Sequence, residues 1–119
     1  MQITIAGDCP SKKNSRAVSF KNGRFGLFPG KTYQKWHNEA MNQLFLLKEY
    51  PRIKVEQIDI VFYPETRRRS DLTNRAESVM DLLVDACILE DDNWYVCPRI
   101  NLRFGEVDKA NPRVEIEIL

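Results

Sequence analysis

Asp71 and the acidic run Glu90-Asp91-Asp92 are the residues whose types most invite a chemical reading, and three arginines, Arg67-Arg68-Arg69, stand just ahead of the first. Magnesium takes hard oxygen ligands, and one or two protein carboxylates with substrate phosphate oxygens and waters complete its octahedral shell. Guanidinium groups match phosphate in a bidentate fork. Carboxylates for a metal beside cations for a polyanion are the parts of a metal-dependent nuclease. They also suit a module that binds nucleic acid without cutting it.

The distribution of charge carries the same message. The net charge of the 119 residues is only +1. Residues 1–69 nevertheless hold 13 Lys/Arg against 6 Asp/Glu, whereas residues 71–92 hold 7 acids and one base, Arg75. A basic half beside a concentrated acidic segment implies a polyanionic partner and a place where a cation manages its charge. Lys12, Lys13, Asn14 and Arg16, in the polar stretch Pro10 to Arg16, are candidates for phosphate contacts that position DNA without reading it. The three cysteines, Cys9, Cys87 and Cys97, have no metal-type spacing, and His37 is the single histidine, so zinc is poorly supported. No apolar run is long enough to span a bilayer and no signal peptide opens the chain, so a cytoplasmic protein without membrane partners is expected.

The elements that must position these groups follow from periodicity. Residues 2–6 alternate as a strand. Val18 to Phe28 predicts a hairpin turning at Asn22-Gly23. Residues 32–48 place Tyr33, Trp36, Ala40, Leu44 and Leu47 on one helical face, with Thr32 as the candidate cap. Alternation predicts strands at 58–63, within Trp94 to Phe104, and at 114–118. Between them a helix over 71–87 gathers Leu72, Ala76, Val79, Met80, Leu83, Ala86 and Cys87 on one side and Asn74, Glu77, Ser78, Asp81 and Asp85 on the other. The expected fold is a single α+β domain over 1–119, two helices packed on a mainly antiparallel, mixed β-sheet.

This order leaves one geometric difficulty. Asp91 and Asp92 lie 20 and 21 residues beyond Asp71, across a helix roughly 25 Å long. The two ends meet only if the chain folds back after residue 87 or a second subunit brings them together. By themselves Glu77, Asp81 and Asp85 also read as a solvated helix face, and Asp71 as an N-terminal carboxylate favoured by the helix dipole.

Taken together, Asp71-Leu72-Thr73-Asn74, Met80-Asp81-Leu82-Leu83-Val84-Asp85-Ala86 and Glu90-Asp91-Asp92-Asn93-Trp94-Tyr95-Val96 resemble the RusA family of Holliday-junction resolvases. The family pattern is an Asp-Leu-Asp-Asn helix start, an Asp-Ala-Leu-type interior and an Asp-Asp pair before a strand. Pro10-Ser11-Lys12-Lys13-Asn14-Ser15 is similar to its N-terminal segment. The resemblance implies a homodimeric endonuclease of phage or prophage type that nicks four-way junction DNA symmetrically during recombination and repair, leaving ligatable ends. The implied cofactor is magnesium, with manganese as a substitute. By position, Asp71 and Asp92 become metal ligands and Asp91 a further candidate. Thr73 stands where the family has a second aspartate, and Glu77 where many members have a lysine. The expectation is that Glu77 restores the missing ligand and Arg75 the displaced cation. The rival expectation is a junction-binding protein that cuts poorly or not at all.

Overall fold

The computed structural model describes residues 1–11, 16–21, 24–47 and 51–119. Lys12, Lys13, Asn14 and the expected turn at Asn22-Gly23 lie outside these residues, and the end of the first expected helix does too. Arg16 opens β2.

Alternation of apolar and polar residues builds the main sheet. β1 (Gln2–Ala6), β4 (Ile58–Tyr63), β5 (Ile100–Phe104) and β6 (Arg113–Ile118) assemble in the order β1-β6-β4-β5. β6 runs antiparallel to both β1 and β4, while β4 and β5 are parallel, in a register that sets Ile60 beside Leu102 and Phe62 beside Phe104. A parallel pair needs a crossover, and α2 (Leu72–Asp85) lies within it. β2 (Arg16–Lys21) and β3 (Arg24–Pro29) form a separate antiparallel pair. The α+β fold expected from the pattern is the one found, with two helices and a mixed four-stranded sheet.

One face of that sheet is the core. Ile3, Ile5, Ile58, Ile60, Phe62, Val114, Ile116 and Ile118 point into a cluster completed by Tyr33, Trp36, Ala40 and Leu44 of α1 (Lys31–Leu44) and by Val79, Met80, Leu82 and Leu83 of α2. Burying side chains of this size contributes about 1.5–3 kcal/mol each. The opposite face carries Gln2, Thr4, Asp59, Asn101, Arg103, Glu115 and Glu117. There Asp59 accepts hydrogen bonds from Asn101 at 2.7 Å and Gln57 at 3.0 Å.

Three local differences from the sequence reading have physical causes. α1 begins at Lys31 with Gly30 as its N-cap, so Thr32 lies inside the first turn and does not cap it. Ser78, expected on the polar face of α2, is fully buried and donates to the Pro10 carbonyl at 2.7 Å. Trp94 to Arg99 precede the strand: the Asn93 side chain accepts the backbone N–H groups of Tyr95 and Val96, an Asx turn that keeps extended pairing from starting before Ile100.

At the C-terminal end of α2 the chain reverses. Ile88 N–H bonds to the Leu83 carbonyl and Cys87 N–H to the Val84 carbonyl, with Cys87 at φ 60°. This is a Schellman ending, sealed by buried Ile88 against buried Leu83. Leu89 then bridges Arg52, and the chain after it returns alongside the helix it has just left.

Candidate active site

That return answers half of the geometric difficulty left by the sequence: it brings Asp92 back to the face of α2, beside Thr73 and Glu77, though not to a cleft shared with Asp71. Asp92 lines a cleft of about 550 Å³ together with Thr73, Glu77 and Asp81, over a floor of Ala76, Met80, Ile100 and Leu102. Thr73, Glu77 and Asp81 succeed one another at four-residue spacing and therefore share one face of α2. The reversal carries Asp92 back to them within one chain.

Asp71 is the N-cap of α2 and stands exposed at its start, two residues before Thr73. Its carboxylate does not cap the helix backbone; it accepts a hydrogen bond from the Asn74 amide at 3.2 Å. The cleft lining does not include Asp71. Asp81 is the residue the sequence reading left out of the site. Its signal was present in the four-residue step from Glu77.

Asp91 and Asp92 are adjacent but differently placed. The Asp91 carboxylate accepts the Asp92 backbone N–H at 2.7 Å and the Asn93 amide at 3.0 Å. Hydrogen bonding, from the Asp92 backbone first and then from the Asp92 and Asn93 side chains, holds its pKa below the usual carboxylate range. Asp92 moves the other way. Desolvation, then its hydrogen bond with Asp91 and the negative charges of Asp91 and Asp81, raise it above the ordinary value. Asp91 thus closes the turn, and Asp92 presents a carboxyl crowded by like charge toward the cleft.

Among the described residues no three Asp, Glu, His or Cys side chains are gathered into a ready-made metal cage. Magnesium does not need one, because substrate phosphate oxygens and water fill most of its shell. An open cleft with Glu77 and Asp92 on its walls fits such an ion. The crowding of negative charge on Asp92 is what a cation would relieve.

Arg75 points away from this cleft. Its guanidinium pairs with Asp8 at 2.9 Å, donates to the Cys9 carbonyl, and donates through Nε to Ser70 at 2.9 Å. These bonds tie the segment after β1 to the first turn of α2. Arg67, Arg68 and Arg69 are exposed and pair with no acid among the described residues. His37 bonds Asp85 at 2.8 Å across the two helices, a packing role in keeping with its place on α1.

The model of a family described as Endodeoxyribonuclease RusA matches residues 8–119. The chain belongs to that family. It is accordingly an endodeoxyribonuclease that hydrolyses phosphodiester bonds, and the resemblance read from Asp71, Asp92 and their neighbours extends over nearly the whole chain. A comparison with curated proteins gave no significant match. No helix among the described residues is long and apolar enough to cross a membrane.

Proposed function

We propose that this RusA-family enzyme resolves four-way DNA junctions as a homodimer, by paired magnesium-dependent nicks. The observation that carries the reading is the common cleft of Glu77 and Asp92 along α2, with the exposed Arg67 to Arg69 in the segment just ahead of that helix. Glu77 takes over the ligand role that Thr73 cannot supply, and Asp92 is its partner on the opposite wall. Asp71, exposed at the helix start two residues before Thr73, would supply a further carboxylate to an ion bound with the DNA. Asp91 and Asn93 hold the turn that aims Asp92. The chemistry supplied by a bound ion is polarisation of the scissile phosphate and a lowered pKa for an attacking water.

The remaining roles fall to charge and symmetry. Arg67, Arg68 and Arg69, with Lys12, Lys13, Asn14 and Arg16, neutralise and contact phosphates, so affinity falls steeply with salt. Arg75 serves as a positioning residue through Asp8 and Ser70. A homodimer suits a substrate of roughly two-fold symmetry that must be cut twice.

The test is to incubate a labelled four-way junction and a matched duplex with the protein, with and without magnesium. Paired nicks confined to the junction, dependent on magnesium and lost in Asp92→Asn while junction binding persists, support the proposal. Binding with no cleavage under magnesium or manganese, or equal cutting of the plain duplex, contradicts it. Sedimentation at micromolar concentration should give a dimer.

A further inference from the structure

Beside the candidate active site lies a second cavity, of about 760 Å³, on the other side of the start of α2. Its floor is apolar, formed by Phe62, Leu72, Phe104 and Val107. Arg67, Arg68 and Arg69 form its rim. Phe104 ends the edge strand β5 on the core side of the sheet, yet the residue is 53% exposed. An exposed phenyl ring at the mouth of a cavity, beside three guanidiniums that pair with no acid among the described residues, is a composition that duplex phosphates alone do not call for.

We propose that this cavity takes one unstacked nucleobase of the DNA strand being cut, laid against Phe104, with its flanking phosphates on Arg67 to Arg69. The inference rests on the junction-nuclease reading and adds a subsite to it. Four observations support this occupant. The volume falls within the range of sites for molecules of nucleotide size, about 300–1,000 Å³. Aromatic faces stack bases of any sequence, each such contact being worth about 1–3 kcal/mol by alanine substitution. The lining holds four guanidiniums and one carboxylate, Glu106. Arg75 is matched by Asp8, so three cations still face that single acid.

The fourth observation is continuity. Ser70 and Leu72 line this cavity and Thr73 lines the cleft of Glu77 and Asp92. On β5, Leu102 belongs to the cleft and Phe104 to the cavity, on the same face and about 6.6 Å apart along the strand. One strand of DNA can therefore place a phosphate at the carboxylates and a neighbouring base on Phe104. Extruding a base from a continuous duplex costs a few kcal/mol, and least where pairing is already broken. The crossover of a junction is such a place. The cavity would thereby add selectivity for branched over continuous DNA.

The test reads binding in EDTA, so it does not depend on cleavage. Junctions carrying a single abasic residue, scanned through the positions around the crossover, are titrated against wild type, Phe104→Leu and Phe104→Tyr. At one position wild type should lose about 10-fold in affinity. Phe104→Leu should lose about the same on the intact junction and nothing further on the abasic one, and Phe104→Tyr should behave as wild type. Equal intact-to-abasic ratios for wild type and Phe104→Leu overturn the proposal. So does a Phe104→Leu defect that follows dimer dissociation in sedimentation, since a second copy of the chain would then be the occupant. Competition by free dAMP as effective as by a junction strand overturns it as well, pointing to a small-molecule site. A wild type that couples Phe104 to the abasic position yet never nicks with magnesium loses the nuclease mechanism and keeps the pocket.

Discussion

Glu77 and Asp92 come from different parts of the chain, and their roles separate by environment. Asp91 has its carboxylate occupied by its own turn, whereas Asp92 is crowded by Asp91 and Asp81. Asp92→Asn should therefore cost at least about 100-fold in cleavage rate, and Asp91→Asn considerably less, in single-turnover assays on a junction. Thr73→Asp adds a fourth carboxylate to the cleft of Glu77, Asp81 and Asp92, one turn before Glu77, and should lower the magnesium concentration needed for half-maximal cleavage about 10-fold. Asp71, Asp92 and the arginine run stood out as candidates in the sequence, all by residue type and the two aspartates also by family pattern. The four-residue step put Asp81 on the face of Glu77, but its meeting with Asp92 and the fixed posture of Arg75 were not legible. Each depends on a partner distant in sequence: Asp81 shares its cleft with Asp92, and Arg75 bonds a segment 66 and 67 residues away.

At the scale of elements, α2 is held in place mainly by the segment behind it. Arg75 and Ser78 bond Asp8, the Cys9 carbonyl and the Pro10 carbonyl. Ser78→Ala would leave the half-buried Pro10 acceptor without that donor, at a cost of about 1–2 kcal/mol in urea unfolding. Arg75→Met should cost about 2–3 kcal/mol, since it strands Asp8 and two further groups. Cys87 works in the other direction: its φ of 60° is strained for any residue with a side chain, so Cys87→Gly should stabilise the protein by about 0.5–1 kcal/mol. Alternation made the strands of the sheet readable, because Ile58, Ile60 and Phe62 must face one way. The reversal after α2 was not readable. It follows from a left-handed cysteine and a bridge between Arg52 and Leu89, neither of which has a periodicity.

Across the whole molecule, burial and charge set the behaviour in solution. Burial, opposed in part by Arg75, holds the Cys9 thiol far above the usual range, and desolvation also raises Cys97. In the native protein near neutral pH one thiol, Cys87, should react promptly with a thiol reagent, and two should wait for unfolding. Neutralising one rim arginine, as in Arg68→Gln, should weaken junction binding and lower the slope of log affinity against log salt by about 1.

The central claim is that Glu77 and Asp92 serve one ion in the cleft that the reversal of the chain creates. It is tested most directly by magnesium titrations of junction nicking with Glu77→Gln, Asp92→Asn and the double variant. Each single substitution should raise the magnesium requirement and slow cleavage, and the double variant should be little worse than the poorer single. A Glu77→Gln enzyme that cuts at the wild-type rate with an unchanged magnesium requirement, while Asp92→Asn is inactive, would contradict the account.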